Sequence, residues 1–386
     1  MNAAVAETRL EVPQGVFELR RHPHRADRPL RAWDAADEYV LHHLAEQSST
    51  DVVSVLVNDG FGALSVGLHG LAPLIVNESA AGRMGTATNH AANQLSDPEA
   101  RMVSIVDHLP ERIDLLVIKL PKSLGQLEDQ LHRLRPSLHP ETVVVGAAMA
   151  KDVHTSTLDL FESIVGPTTT SLARKKARLI HATVDVDLEP EPNPWPSRWR
   201  HDGLELVNHG GVFSSRGIDR GTRFLLESLP DAAALDPKTI IDLGCGNGIV
   251  GLDLARRFPD AILEFCDESF VAIASAFDSV EANGVMDRSR FRVAPRLASS
   301  FDEASADLIV VNPPFHVDRN RGDDTAWEMF VDSHRVLRPG GRLVVVGNQH
   351  LGHHAKMNKI FRNCNAIAAN PKFVVLAAHR EGAPQA

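Results

Sequence analysis

Short, β-branched apolar runs alternate with stretches of helical length and period along the whole chain. In the first half the apolar runs cover residues 52–57, 74–76, 113–118 and 142–145; in the second they cover 239–241, 307–311 and 344–346. The runs are continuously apolar, the pattern of parallel strands covered on both faces. Residues 34–47 and 219–229 have helical length, and the first of these opens on Asp34, Asp37 and Glu38, where a helix dipole favours negative charge. Strands and helices in alternation predict an α/β protein with parallel, doubly wound sheets. Residues 1–33 show no clean period, and a short hairpin-like segment is expected at 204–207.

At 386 residues the chain exceeds what one core usually supports, so two domains are expected. The period disappears at residues 185–200, DVDLEPEPNPWPSRWR, where prolines and acids mark a linker. The chain therefore divides into 1–184, the linker 185–200, and 201–386.

The two halves match each other in order. Gly60, Gly62 and Gly67 have the spacing of Gly244, Gly246 and Gly251, and Asn77-Glu78-Ser79 answers Asp267-Glu268-Ser269. The step on to the next Ala-Asn pair is the same, 93 − 77 and 283 − 267 both giving 16. Asp114 to Pro121 spans the same 7 positions as Asp307 to Pro314, Arg135-Pro136 answers Arg338-Pro339, and Val-Val-Val-Gly occurs at 143–146 and 344–347. So many matches in one order point to one α/β unit, duplicated and fused.

Composition narrows the class. An apolar content of 43% and a charged content of 23% are ordinary for a globular protein. With 50 acidic against 40 basic residues the net charge is -10, which disfavours non-specific coating of nucleic acid but leaves room for a local basic patch. Arg174-Lys175-Lys176-Ala177-Arg178 is such a patch. Three cysteines without CxxC spacing argue for a reducing compartment and against a zinc or disulfide framework. His316, His350, His353 and His354 read as structural or surface residues, and no metal is expected. The segment MNAAVAETRLEVPQG lacks the apolar core of a signal peptide, and no run reaches membrane-spanning length; the expectation is a cytoplasmic protein without membrane association.

Candidate chemistry is concentrated at the ends of the second-half strands, the edge at which open α/β sheets bind ligands. The loop Asp242-Leu243-Gly244-Cys245-Gly246-Asn247-Gly248 has a D-x-G-x-G-x-G pattern, distinct from the dinucleotide G-x-G-x-x-G. Its small residues let backbone approach a ligand, and N–H groups at the following helix start can meet polar groups. Cys245 reads as a small side chain rather than a nucleophile. Asp267 ends the next strand and is placed to accept from two ribose hydroxyls. Run 307–311 leads into Asn312-Pro313-Pro314-Phe315-His316, where the prolines stop the strand. The Asn312 oxygen and the Pro313 carbonyl can accept from an exocyclic amine, and Phe315 can stack on a planar base.

Comparing the halves separates fold from chemistry. In the first half Gly248 is matched to Leu64, Asp267 to Asn77, and Asn312-Pro313-Pro314-Phe315 to Lys119-Leu120-Pro121-Lys122. The apolar strands persist while the polar site is lost, so 1–184 reads as a degenerate copy kept for packing or for gripping a partner. Pro314, matched by Pro121, is partly architectural.

Asp242 to Gly248, Asp267 and Asn312-Pro313-Pro314-Phe315-His316 resemble the cofactor loop, ribose acid and target-base motif of S-adenosylmethionine-dependent methyltransferases acting on amine nitrogens. With the tandem arrangement, Gly211-Val212-Phe213-Ser214 and Asp219, the chain is similar to the ribosomal RNA guanine-N2 methyltransferases. Gly166-Pro167-Thr168-Thr169-Thr170, Arg174 to Leu179, Ala326 to Phe330 and Asn370 to Leu376 make it most similar to the large-subunit (23S) branch. One departure is Val293-Ala294-Pro295-Arg296, where such enzymes commonly carry Asn or Asp near the adenine.

The resemblance implies two tandem Rossmann-like class I methyltransferase domains, the N-terminal one degenerate. It implies S-adenosyl-L-methionine as cofactor, held by Asp242, Gly244, Cys245, Gly246, Asn247, Gly248, Asp267 and Asn312, and catalysis by Asn312, Pro313, Pro314 and Phe315. The implied partner is large-subunit ribosomal RNA, with Arg174, Lys175, Lys176 and Arg178 as candidate phosphate contacts. Competing readings are a guanine-N2 enzyme of small-subunit (16S) RNA, an adenine-N6 or glutamine-N5 methyltransferase, and a non-catalytic RNA-binding assembly factor. Intact Gly248, Asp267 and Asn312 speak against the last.

Overall fold

Each apolar run forms a strand, and the polar residues that flank the runs cap the helices between them. The computed structural model describes residues 7–22, 30–46, 52–215, 217–229, 236–313 and 319–382. They fall into two units, Met1–Trp195 and Pro196–Ala386.

Unit 1 opens with an antiparallel hairpin, β1 (Arg9–Val12) and β2 (Gly15–Glu18). There follow α1 (Ala35–His43), β3 (Ser54–Val57), α2 (Ala63–Gly67), β4 (Leu74–Val76), α3 (Ala80–Ala92), β5 (Met102–Val103) and β6 (Ile113–Lys119). The unit ends with α4 (Leu124–Leu134), β7 (Leu138–Met149), α5 (Thr155–Ile164), β8 (Thr168–Thr170) and β9 (Ala177–Ala182). Seven of its strands form one sheet in the order β5-β4-β3-β6-β7-β9-β8, in which β7, β9 and β8 pair antiparallel while the rest are parallel. Helix α1 is fixed by a reciprocal cap: Asp34 accepts from the Ala36 and Asp37 N–H groups, and Asp37 accepts from the Asp34 N–H. The helix stops at His43 and tightens into a 3₁₀ turn, Leu44–Glu46, short of the expected 47. In α4 the buried residues Leu127, Leu131 and Leu134 recur at helical spacing against the sheet. Residues expected in the linker belong to this unit as far as Trp195, whose indole N–H donates to Glu128 and whose ring lies against Gly125.

Unit 2 repeats the plan. Its elements are the hairpin β10 (Ser197–His201) and β11 (Leu204–Asn208), then α6 (Arg220–Ser228), β12 (Thr239–Leu243), α7 (Ile249–Arg257), β13 (Ile262–Asp267) and α8 (Phe270–Ala282). β14 (Ser289–Val293), β15 (Ala306–Val311), α9 (Arg319–Val336), β16 (Leu337–Asn348), α10 (His353–Phe361), β17 (Asn365–Ala369) and β18 (Phe373–His379) complete it. The strand order β14-β13-β12-β15-β16-β18-β17 is that of unit 1, position for position. The order reverses between β12 and β15, which puts the ligand crevice at their carboxyl ends. Side chains alternate between two cores: Leu308, Val310, Val344 and Val346 pack with α6 and α7, and Ile309, Val311, Leu343 and Val345 pack with α9 and α10.

Several details confirm the duplication. Ser79 and Ser269 cap α3 and α8 by accepting from the Gly82 and Ala272 N–H groups. Asn93 and Asn283, at the ends of those helices, each hold the hairpin strand through its backbone, at Glu18 and Glu205.

The register corrects three of the residue matches. Asp114 and Asp307 accept from the Val53 and Thr239 N–H groups, and Ser54 pairs with Leu115 as Ile240 pairs with Leu308. Position 54 thus corresponds to 240, and Gly62 to Gly248, since 62 − 54 and 248 − 240 are both 8. Both glycines cap their helices in the left-handed region, at φ 85° and 81°. The glycine match read from the letters is two residues out, and Leu64 is not the counterpart of Gly248. The Val-Val-Val-Gly match is also two out, because Leu116 pairs with Val144 where Ile309 pairs with Leu343. Arg135-Pro136 precedes β7, whereas Arg338-Pro339 lies inside β16. Only backbone register, not residue identity, distinguishes these alternatives.

Candidate active site

Loop 244–248 leaves β12 through Gly244, Gly246 and Gly248, all at positive φ (72°, 54° and 81°). A Cβ at Gly246 would meet nothing within 4 Å, and one at Gly244 would meet only Met329 Cε at 3.7 Å, so the loop turns bare backbone toward open space. Gly251 differs: a Cβ there would come within 2.3 Å of the Phe265 ring, so this glycine serves helix-sheet packing. The residues fit a ligand that needs close backbone approach.

Asp242 is buried and turned away from that opening. Its Oδ2 accepts from the Gly251 N–H at 2.8 Å, tying strand β12 to helix α7. Burial pushes its carboxyl up to about 7, against the Gly251 N–H and with Asp267 adding a like charge. Asp267 Oδ2 accepts from the Gly246 N–H at 3.0 Å and Oδ1 from the Ser269 N–H at 3.0 Å, so one carboxylate joins the glycine loop to the cap of α8. Burial raises its pKa while the surrounding N–H groups oppose the rise. Cys245 is buried and its thiol is pushed well above the usual thiol range by burial, which disfavours the thiolate that a nucleophile needs. Asn247 is 4% exposed and faces inward: its Oδ1 accepts from the Ile249 N–H and its Nδ2 donates to Asn208 Oδ1 at 2.9 Å.

At the end of β15, Asn312 Nδ2 donates to Thr222 Oγ1 at 2.8 Å, and its Oδ1 is buried with no hydrogen-bond partner among the described residues. Thr222 lies in the first turn of α6, three residues after the cap Asp219, which accepts from the Gly221 and Thr222 N–H groups. Pro313 is buried. Pro314 and Phe315, like His316, lie outside the described residues. Arg296, in the segment expected near the adenine, is bound through Nε and Nη2 to Asp332 of α9.

Unit 1 fills the matching position differently. Lys119 stands where Asn312 stands, and its Nζ lies 2.6 Å from Asp37 Oδ1 and 2.8 Å from Asp34 Oδ1. Asp37 and Asp34 occupy the first turn and cap of α1, as Thr222 and Asp219 do in α6. Asn58, the counterpart of Gly244, also adopts positive φ (62°), but its amide is spent on a reciprocal pair with Gln130 and on the Lys119 carbonyl. An ion triad and an amide pair thus close the strand end that unit 2 leaves bare.

Thr222 and Asn208 were not distinguished by the sequence. For Thr222 a signal existed, since Asp219 opens a helix and places its third residue toward the neighbouring strand end. For Asn208 there was none, because its partner is 39 residues away. Arg174, Lys175 and Lys176 lie in the turn between β8 and β9, Lys175 and Lys176 at φ 48° and 65°, while Ala177 and Arg178 open β9. Arg174, Lys175 and Lys176 are exposed, and Lys175 pairs with Glu38 at 2.5 Å. Among the described residues no cluster of His, Cys, Asp and Glu is arranged to hold a metal ion, and no helix is long and apolar enough to cross a membrane.

Known proteins share both units. The RLMG N-terminal domain family matches residues 7–186, and the Methyltransferase small domain family matches residues 203–377. A Streptomyces coelicolor protein named Ribosomal RNA large subunit methyltransferase G is 46% identical over 380 residues, covering 96% of this chain and 100% of that one. Its namesake from Aeromonas hydrophila is 43% identical over 380 residues, covering 96% and 99%. Among solved structures, a T. thermophilus 16S rRNA N2 methyltransferase in complex with AdoMet and guanosine has the same two-unit fold, at TM-score 0.75 and 21% identity over 97% of this chain and 98% of that one. Matched across both units and nearly end to end, the chain belongs to the ribosomal RNA large subunit methyltransferase G family.

Proposed function

We propose that this protein uses S-adenosylmethionine to methylate the exocyclic N2 of a guanine in large-subunit (23S) ribosomal RNA, giving N2-methylguanosine. The observation that carries the reading is Asn312, a strand-end amide whose Oδ1 is buried and has no partner among the described residues while Thr222 holds its Nδ2. A buried acceptor without a partner is costly unless a ligand supplies the donor, and an exocyclic amine is such a donor.

The cofactor supplies a methyl group already activated on sulfur, so the chain's own task is to align an amine lone pair and exclude water. The bare backbone of Gly244 and Gly246 admits the cofactor's amino-acid end, and Asp267 accepts from the ribose hydroxyls. A guanine amine is a weak nucleophile because its lone pair is shared with the ring. Hydrogen bonds from N2 to Asn312 Oδ1 and the Pro313 carbonyl favour a more tetrahedral nitrogen as positive charge develops. Phe315 stacks on the base, which must leave its helix or loop to reach the sulfonium. The Asp242 and Asn247 side chains hold the loop from behind through Gly251 and Asn208, and Gly248 caps α7, so any contact these three make with the cofactor is through backbone.

On this reading unit 1, as far as Trp195, is the degenerate copy and unit 2, from Pro196, the catalytic domain, and the expected linker 185–200 is divided between them. Arg174, Lys176 and Arg178 are phosphate contacts, with Lys175 shared between RNA and Glu38. Three buried free thiols suit a cytoplasmic setting.

Mass spectrometric mapping of ribosomal RNA from cells lacking the protein tests the reading. One N2-methylguanosine should disappear from the large-subunit RNA; its loss from the small-subunit RNA alone, or loss of N6-methyladenosine instead, refutes it. Asn312→Ala should retain cofactor affinity by calorimetry and lose methyl transfer by about 10²–10³-fold, the effect of deleting one preorganised hydrogen bond.

A further inference from the structure

Asn208 ends β11 and is wholly buried, yet one of its amide atoms has no partner among the described residues. Which atom that is follows from a chain of donors. The Ile249 N–H can only donate, so Asn247 must present Oδ1 to it, at 3.3 Å, and Nδ2 to its other neighbour. That neighbour is Asn208, which therefore presents Oδ1, at 2.9 Å. Asn208 Nδ2 is left as a buried donor beside the glycine loop.

Unit 1 shows that the fold does not require this arrangement. The Asn93 and Asn283 clamps align Glu18 with Glu205, which sets Arg21 against Asn208, since 21 − 18 and 208 − 205 are both 3. Phe61 corresponds to Asn247 in the register that aligns Gly62 with Gly248. In unit 1 the two positions meet as a cation over a ring, the Arg21 guanidinium lying 4.9 Å from the Phe61 centroid. Hairpin and loop are clamped together in both units; unit 2 uses a pair of amides, and that pair leaves a buried donor over.

Asn208 is joined to the glycine loop at the end of β12 through Asn247, as Thr222 is joined to Asn312 at the end of the neighbouring strand β15. A spare donor at the glycine-loop end calls for an anionic or carbonyl oxygen, and the amino-acid end of S-adenosylmethionine carries one anion, its carboxylate.

We propose that Asn208 is a cofactor-binding residue whose Nδ2 donates to the carboxylate of S-adenosylmethionine. The assignment rests on the cofactor named in the proposed function, and the experiment separates the two. Calorimetry measures S-adenosylhomocysteine, which has the carboxylate, and 5′-methylthioadenosine, which lacks the amino-acid end. Asn208→Asp keeps the acceptor that Asn247 uses but puts an anion in place of the donor. It should weaken S-adenosylhomocysteine by about 100-fold or more, the effect expected when a donor to a charged group is replaced by a like charge. Methylthioadenosine should bind the variant within about 3-fold of the wild type, which also shows that the fold is intact. Asn208→Ser, which shortens the donor, should give an intermediate loss for S-adenosylhomocysteine alone. Equal affinities of wild type and Asn208→Asp for S-adenosylhomocysteine overturn the assignment, as does an equal loss of both ligands in both variants. A wild-type protein that binds neither ligand overturns the proposed cofactor itself.

Discussion

Replacing Lys119 by asparagine puts into unit 1 the residue that stands at the matching strand end of unit 2. Lys119 is 13% exposed and Asp37 9%, so their contact at 2.6 Å is a buried ion pair, whereas Asp34 is 50% exposed. Removing one partner of a buried pair destabilises by about 3–5 kcal/mol, because the other charge is left without compensation. The Asp34 arm adds at most about 1 kcal/mol, the value of an exposed pair. The cap of α1 survives, since Asp34 still accepts from the Ala36 and Asp37 N–H groups. The expected loss in Lys119→Asn is therefore about 3–5 kcal/mol near pH 8.

The pH dependence has a definite sign. Burial already holds the Asp37 carboxyl up at about 6 against the pull of Lys119, and loss of the cation raises it further. An acid whose folded pKa is raised stabilises the fold while protonated, and that contribution is lost as pH rises through the folded value. The deficit of Lys119→Asn should thus be smallest near pH 5 and largest near pH 8. Urea unfolding of the unit 1 transition, with hydrogen exchange of residues 35–43 as the local probe, measures both. The double variant Lys119→Asn with Asp37→Thr reproduces the unit 2 pair and should recover most of the loss, a coupling of at least about 2 kcal/mol. A single variant within about 1 kcal/mol of wild type at pH 8, or a deficit that does not change with pH, refutes the view that the triad closes a buried site.

Asp242 is protonated in the fold to about pH 7, so its stabilising contribution falls away as pH rises from the ordinary carboxylate range through that value. Thermal melting should show the wild type losing more stability than Asp242→Asn between pH 5 and pH 8; equal slopes would remove Asp242 from the account. Gly62→Ala and Gly248→Ala should each lower stability by about 1–2 kcal/mol through their positive φ alone. Gly62→Ala should lose more, because its Cβ would stand 3.0 Å from the Thr86 backbone. Gly246→Ala, whose Cβ meets nothing, should lower cofactor affinity in calorimetry more than it lowers the melting temperature.

The legible parts of this chain were those written locally. Continuous runs such as 307–311 state their burial outright, and β15 is buried except at Asp307. The hairpin β1–β2 was not legible: RLEV and GVFE are four residues each, alternate in burial, and take their place from Asn93, 75 residues from Glu18. The repeat was visible, but its register was not. In unit 2 the acid that holds the helix start is in the strand, Asp242 bonded to the Gly251 N–H; in unit 1 it is in the loop, Asp59 bonded to the Ser65 N–H. The same backbone group is satisfied from different sequence positions, so matching glycine to glycine slips by two. The site was legible as strand-end residues, but their partners Thr222 and Asn208 come together only through tertiary structure.

Two units on one backbone plan let the chain itself separate the requirements of folding from those of chemistry. Both keep the strand order, the Ser79 and Ser269 caps, the Asn93 and Asn283 clamps and the left-handed glycine at the loop's end. They part at the carboxyl ends of the strands. There unit 1 satisfies its polar groups internally, Lys119 on two carboxylates and Asn58 on Gln130, and at the end of β7 it has Met149, packed against the core. Unit 2 has Asn348 at the end of β16, and three amide atoms, Asn312 Oδ1, Asn208 Nδ2 and Asn348 Oδ1, lie buried without partners among the described residues. A strand end free of ligand duties gains by closing its hydrogen bonds, as Lys119 and Asn58 do in unit 1. The atoms left open in unit 2 sit where unit 1 does without such groups, which is the arrangement that the proposed ligand roles of Asn312 and Asn208 require.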